Sequence, residues 1–194
     1  MSTEVRVRIT ADHWLEGAAR CESPNSDERS DPDDIALLVI HNISLPPGQF
    51  GGNQVRQFFT NCLDCSADAR FADLAGVRVS AHLFIDRVGT QTQFVAFDRR
   101  AWHAGQSSYR GRVGCNDYSI GIELEGTDDV PYEDAQYAAL AEVTATLIGR
   151  YHRLSLDAVV GHMEVAPGRK SDPGPSFDWP RFYRECHVRL GKKS

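Results

Sequence analysis

The 194-residue sequence lacks any apolar run approaching the roughly 18 residues needed to cross a bilayer. A membrane-spanning helix is therefore excluded. Met1 to Thr10 alternates charged and apolar side chains, without the basic start and apolar core of a secretory signal. The expected setting is cytoplasmic. Cysteine is sparse and scattered: Cys21, Cys62, Cys65, Cys115 and Cys186. The odd count and irregular spacing argue against a disulfide framework and fit a reducing compartment. Cys62 and Cys65 form a single C-x-x-C. A zinc knuckle needs a second such pair, so these two read as neighbours on a helical turn. Basic charge is also short, with 21 Lys and Arg against 27 Asp and Glu and a net charge of −6. That disfavours a general electrostatic grip on nucleic acid or an anionic membrane. There is no H-E-x-x-H motif and no internal repeat.

What is present is an ordinary globular balance, 41% hydrophobic and 25% charged. The length suits a single domain over 1–194, with its core at about 35–186. Residues 16–34 are polar, punctuated by proline, and read as a surface segment. Ile35 to Ile40 is a short apolar run, a strand buried on both faces that stops at His41-Asn42. A Pro/Gly loop follows, then a short helix over Val55 to Cys62, with Phe58, Phe59 and Cys62 on one side. Val79 to Asp86 alternates as a strand, and Arg87 to Thr90 turns it into a second, Gln91 to Phe97. Tyr118 to Glu125 alternates more cleanly. Tyr118, Ile120, Ile122 and Leu124 share one face; Ser119, Gly121, Glu123 and Glu125 share the other. Asp134 to Tyr151 has helical spacing, with Ala135, Ala139, Leu140, Val143, Leu147, Ile148 and Tyr151 on a buried stripe. Ala158 to Val160 is a short strand ending at Gly161-His162. Residues 166–175 form a loop, and Asp178 caps a last helix running to about Val188. The fold class is α/β, a central mixed β-sheet flanked by helices in three layers.

Several polar side chains fall at the ends of buried strands, where catalytic groups tend to sit. His41 ends the first strand and His162 the last. Asp172 follows in a loop that can fold back. Two histidines and a carboxylate can hold Zn²⁺ and leave a fourth position open. Taken singly, each histidine is more often a structural or surface residue than a ligand. Glu123 lies mid-strand beside the small residues Ser119 and Gly121, which leave room above it for a substrate. A carboxylate there has tunable basicity; the bland reading is a solvated strand face, which also suits Glu125. Lys170 can donate to an oxyanion or can be a plain loop lysine. His82 reads as a packed structural histidine, and His13, His152 and His187 as surface residues.

The strings LLVIHNISLPPGQFGG, RVSAHLFIDRVG, FDRRAWHAG, CNDYSIGIELEGTD and GHMEVAPGRKSDPGPSFDW occur in that order. Together they resemble the AmpD-type amidases, which act on anhydro-muropeptides. These sit in a wider group with phage-lysozyme-type amidases and peptidoglycan-recognition proteins. The resemblance spans roughly Val5 to Tyr183. It implies a mixed sheet flanked by helices, and cleavage of the amide between 1,6-anhydro-N-acetylmuramic acid and L-alanine in peptidoglycan recycling. It implies one Zn²⁺ per chain held by His41, His162 and Asp172, with Glu123 and Lys170 as catalytic residues. It places Asn42, Arg78 and Trp102 at substrate-contacting positions. His103, in W-H-A-G, either lines the same cleft or satisfies a loop carbonyl. The implied partner is a small muropeptide, with neither nucleic acid nor membrane. The sequence departs from the family pattern once: Gly51-Gly52 is followed by Asn53-Gln54 rather than Pro-Tyr, so this loop lacks the family's aromatic ring. Two other readings are an amidase acting on intact peptidoglycan, and a non-catalytic peptidoglycan-binding module. Retention of all five site residues argues against the second.

Overall fold

A computed structural model describes residues 7–191. Residues 1–6, most of the stretch read for an export signal, lie outside the described residues, as do 192–194. The strands are β1 (Ala19–Arg20), β2 (Ser26–Glu28), β3 (Leu37–Ile43), β4 (Leu83–Ile85), β5 (Gln91–Gln93), β6 (Arg99–Ala101), β7 (Ser108–Tyr109), β8 (Arg112–Val113), β9 (Ser119–Glu125) and β10 (Val159–Gly161). The helices are α1 (Gln54–Phe59), α2 (Asp134–Arg150), α3 (His162–Val165) and α4 (Trp179–Arg189).

One sheet of six strands, in the order β1-β5-β4-β9-β3-β10, organises the chain. β3 pairs in parallel with β9 on one side and β10 on the other. A strand flanked on both edges and both faces must be apolar on both faces, which explains the uninterrupted run Leu37 to Ile40. β4 joins β9 in parallel and β5 antiparallel, so the sheet is mixed, as the interleaving of strands and helices predicts. The β4–β5 turn is built on Asp86, whose carboxylate accepts from Val88 N and Thr90 N. Gly89 completes it at φ +83, where an added Cβ would also stand 2.9 Å from Ala135 O.

The two faces of the sheet differ. Leu38, Ile40, Leu83, Ile85, Ile120, Ile122 and Leu124 pack against α2 and α4 in one continuous cluster with Leu140, Val143, Leu147 and Phe182. On the other face the apolar packing is split. One cluster joins Phe84 and Phe94 to Val55, Phe58 and Phe59 of α1. A second joins Leu37 and Val39 to Ala104, Cys115, Tyr118 and Val165. Between the two runs a strip of histidines and carboxylates.

Several expected boundaries shift. β3 does not stop at His41: it runs to Ile43, because β9 pairs with it along the whole stretch from Leu37↔Ser119 to Ile43↔Glu125. Only Leu83–Ile85 of the 79–86 stretch is a regular strand. The backbone amides of Ser80 and His82 instead donate to Trp102 O and Gly121 O. Tyr118 precedes β9 and turns to the Leu37–Val39 face, away from Ile120. α1 ends at Phe59 and leaves Cys62 exposed. On α2, Ala135 is exposed, while Gln136 is fully buried and bridges Glu125 O and Ile85 O. The polar segment 16–34 is not all surface. Arg29 is buried and donates to the carbonyls of Asn116, Asp117 and Ser119 at 3.1, 3.1 and 2.6 Å. α4 starts as expected, with the Asp178 carboxylate accepting from Arg181 N.

Candidate active site

β3 and β9 bring His41 and Glu123 side by side, since the two residues are register partners in parallel strands. Neighbours in register point to the same face, so both enter the strip between the apolar clusters. His162 arrives from β10, the other neighbour of β3, as the first residue of α3. The loop after α3 folds back, tied by Met163 N to Asp172 O at 3.1 Å. It lies so close to β10 that a Cβ at Gly161 would meet Pro173 Cδ at 2.6 Å. That return delivers Asp172 to the histidines.

The result is an equilateral triangle. His41 Nδ1, His162 Nδ1 and Asp172 Oδ2 are each 3.0 Å from the other two. Donor atoms on a tetrahedral zinc stand about 3.3 Å apart, given bonds of about 2.0–2.1 Å, so the triangle has the scale of a metal cradle. The remaining ring nitrogens turn outward: His162 Nε2 lies 3.3 Å from Ala104 O, and His41 Nε2 lies 2.9 Å from His103 Nδ1. With those nitrogens engaged elsewhere, the three inner atoms present lone pairs to a common point. That arrangement fits a cation.

Burial sets the protonation states. It pushes His41 down to about 4, so the ring is neutral at pH 7. Glu123 goes the other way. Burial, and then the nearby Asp172 charge, lift it well above the ordinary carboxylate value, while Lys170 partly offsets them. One oxygen of Glu123, Oε2, is buried without a hydrogen-bond partner.

A cleft of about 300 Å³ opens over these groups. Its polar floor is His41, Glu123, His162 and Asp172, with Lys170 at the rim. Phe58, Leu74, Val77 and Val79 form an apolar wall. Lys170 is exposed; its neighbour Arg169 is tied to Ala104 O and Gln106 O at 2.7 Å each, which anchors the loop that presents it.

The other expected residues divide. Asn42 borders the cleft, but its amide nitrogen is committed to Asp128 Oδ1 at 2.8 Å and Pro173 O at 3.2 Å. It clamps the Asp172 loop to β3. Arg78 is exposed between Val77 and Val79. Trp102 is half-buried outside the cleft wall, with its indole nitrogen unpaired. His103 lines the cleft, bonded to His41 rather than to a loop carbonyl. The room above Gly121 is filled by the His103 ring, at 2.5 Å from where a Cβ would stand. It is therefore not the substrate space that the small residues on β9 lead one to expect. His82 is fully buried and accepts from Gly121 N at 3.0 Å, a structural histidine. His13 is half-buried, 2.8 Å from Tyr151 Oη, rather than a free surface residue. Glu125 is buried, not a solvated face. The sequence reading misses the apolar wall, whose members come from segments with no motif. It also misses Asn116, whose side chain accepts from His103 N and Ala104 N.

Comparison with known proteins shows the family. Residues 31–175 match the family described as N-acetylmuramoyl-L-alanine amidase. The 1,6-anhydro-N-acetylmuramyl-L-alanine amidase AmpD of Escherichia coli strain K12 is 55% identical over 87% of this chain and 92% of its own length. A crystal structure of a selenomethionine AmpD derivative superposes with a TM-score of 0.87 at 55% identity, covering 90% of this chain and 97% of that one. The E. coli amidase AmiD, solved in complex with anhydro-N-acetylmuramic acid-L-Ala-D-γ-Glu-L-Lys, gives a TM-score of 0.57 at 28% identity, covering 97% of this chain and 67% of that one. The chain is an amidase that belongs to the N-acetylmuramoyl-L-alanine amidase family, in its AmpD group.

Proposed function

We propose that the chain is a zinc-dependent hydrolase of anhydro-muropeptides, cleaving the amide that joins 1,6-anhydro-N-acetylmuramic acid to L-alanine, and that His41, His162 and Asp172 hold its metal. The observation that carries this is the 3.0 Å triangle of two imidazoles and a carboxylate, with the unpartnered Glu123 oxygen beside it. The AmpD relatives carry the same substrate in their names, and AmiD is solved with an anhydro-muropeptide.

A zinc ion held there would supply Lewis acidity, lowering the pKa of water and polarising a carbonyl. The chain's own groups do the proton work. Glu123 takes a proton from the attacking water and returns it to the leaving amine of L-alanine. Its raised affinity for protons suits a group that must act as base and then as acid. Lys170, at the rim, donates to the oxyanion that forms as the carbonyl is attacked. The apolar wall of Phe58, Leu74, Val77 and Val79 excludes water from one side and gives the ligand's carbon skeleton a surface. Asn42 holds the Asp172 loop, and Arg78 and Trp102 stand outside the wall where a longer ligand would reach.

We also place the chain in the cytoplasm with a small muropeptide as its partner. No helix among the described residues is long and apolar enough to cross a membrane. All five cysteines are free, as expected in a reducing compartment.

Metal analysis of the purified chain, followed by mass spectrometry of a purified anhydro-muropeptide before and after incubation, tests the reading. Near-stoichiometric zinc and release of the free peptide are expected. His162→Ala should lose zinc and hydrolysis together. Full zinc in that variant would refute the ligand assignment. Equal rates on anhydro and ordinary muropeptides would move the chain toward general cell-wall amidases.

A further inference from the structure

His41 must be neutral and must carry its proton on Nε2, if Nδ1 is to offer a lone pair to a cation. A solvated imidazole has no such constraint, because its two tautomers interconvert. Here the outward nitrogen faces a chain of polar groups. His41 Nε2 is 2.9 Å from His103 Nδ1. His103 Nε2 is 3.0 Å from Ser119 Oγ. Ser119 Oγ is 2.6 Å from Cys115 O.

The direction of every bond in this chain follows from its far end. A carbonyl only accepts, so the Ser119 hydroxyl donates to Cys115 O. The hydroxyl has one proton, so Ser119 Oγ accepts from His103 Nε2–H. His103 Nδ1 then bears a lone pair and accepts from His41 Nε2–H. That leaves the His41 Nδ1 lone pair on the triangle with His162 and Asp172. A backbone carbonyl in the turn before β9 thus sets the tautomer of a side chain three links away.

The surroundings are shaped to hold the relay. Gly121 lies between Ser119 and Glu123 on the same face of β9, and any Cβ there would strike the His103 ring at 2.5 Å. Asn116 Oδ1 holds the backbone of His103 and Ala104 at 3.2 and 2.8 Å. Ala104 O in turn faces His162 Nε2 at 3.3 Å. One short segment therefore provides the outer partner of both histidines.

We propose that His103, oriented by Ser119, is a positioning residue that locks His41 in its metal-binding tautomer. It does not touch substrate in this role. The inference rests on the zinc reading above. A partner of this kind is typically worth about 10- to 100-fold in metal affinity.

Zinc affinity by competition with a chelating dye, on the full chain, is the primary measurement. The tautomer of His41 in metal-free, ¹⁵N-histidine-labelled protein is the second, read from long-range imidazole correlations. Wild type should bind zinc tightly and show the Nε2–H form. His103→Leu, which removes the acceptor, should lower zinc affinity about 10- to 100-fold and give a mixture of His41 tautomers. His103→Asn, whose carbonyl oxygen can take the His41 proton, should recover part of the affinity. Ser119→Ala should lose less than His103→Leu and should melt, metal-free, close to wild type. It keeps the test open if His103→Leu fails to fold. Unchanged zinc affinity and tautomer in folded Ser119→Ala or His103→Leu would overturn the proposal. So would equal losses in His103→Asn and His103→Leu, since that would make His103 a packing residue. Absence of zinc binding by wild type would instead defeat the zinc reading itself.

Discussion

Glu123 and Glu125 lie two residues apart on the same face of β9, yet the regions around them have little in common. Glu125 is buried at 3% exposure. Its two carboxylate oxygens accept from Gly51 N at 2.6 Å and Arg87 N at 3.2 Å. It ties the loop after β3 and the β4–β5 turn to the sheet. Glu123 opens into the cleft, with one oxygen unpartnered and its proton affinity raised by burial and by Asp172. The residue type and the strand are the same. What differs is which loops arrive. Where backbone amides converge, a carboxylate is a structural acceptor. Where none does, and a second carboxylate stands near, it is left free for proton transfer.

Substituting each carboxylate by its amide tests that contrast. Glu123→Gln should keep the fold and the metal but lose about 10²- to 10⁴-fold in kcat, the usual worth of a general base. Steady-state kinetics beside a melting curve would show it; if zinc disappears with activity, Glu123 is a ligand instead. Lys170→Met should come next, with a loss of about 10²- to 10³-fold in kcat for one oxyanion donor. The side chain is exposed, so chemical denaturation of this variant should match wild type. Glu125→Gln should behave in the opposite manner. It weakens two charge-assisted bonds and should cost about 1–3 kcal/mol of stability by urea titration. Its kcat at low temperature, where it remains folded, should fall far less than that of Glu123→Gln. Equal kcat losses in the two glutamate variants would erase the distinction drawn here.

The smallest expected effect is on acid stability. Burial, then the Arg29 charge, pushes His82 down to about 3, and burial pushes His41 to about 4. In the unfolded chain both would protonate near pH 6.5. Below that pH the unfolded state binds more protons, so these histidines make stability fall as pH drops toward 4. Glu123 contributes with the opposite sign. Its folded pKa is raised, so its share of stability is complete below the unfolded value and is lost as pH rises through the folded one. Glu123→Gln removes that opposing share. Melting temperatures of the metal-free proteins from about pH 7.5 to 5 should therefore fall more steeply for Glu123→Gln than for wild type. Parallel slopes would mean that Glu123 titrates like an exposed carboxylate.

Much of the site was legible in the residues because strand periodicity is local. Alternation over Tyr118 to Glu125 puts Glu123 opposite Ile122 and Leu124, whatever else the chain does. The apolar run before His41 marks a central strand, and the Pro/Gly-rich stretch after His162 marks a loop able to return. The ordered motifs then assign the ligand set through family resemblance. What periodicity cannot supply is the partner of each face. Ser119 and Gly121 read as open space over Glu123, but the chain fills that space with His103, a residue from a different segment. Glu125 reads as solvated, but Gly51 and Arg87 cover it. Arg29 sits in a polar stretch that reads as surface, but carbonyls of the β9 approach take it inside.

By itself, then, the sequence determined five of the six strands of the main sheet, the long helix and the identity of the chemical groups, because these depend on short-range spacing and residue type. Only the tertiary structure decided which lone pairs meet. The 3.0 Å triangle joins residues 41, 162 and 172. It exists because β3 pairs with β10 and β9 at once, and because the loop beyond α3 folds back on Gly161. Hydrogen-bond direction and burial belong to that assembled neighbourhood, and they bring two ordinary histidines and an aspartate into one triangle with the scale of a metal cradle.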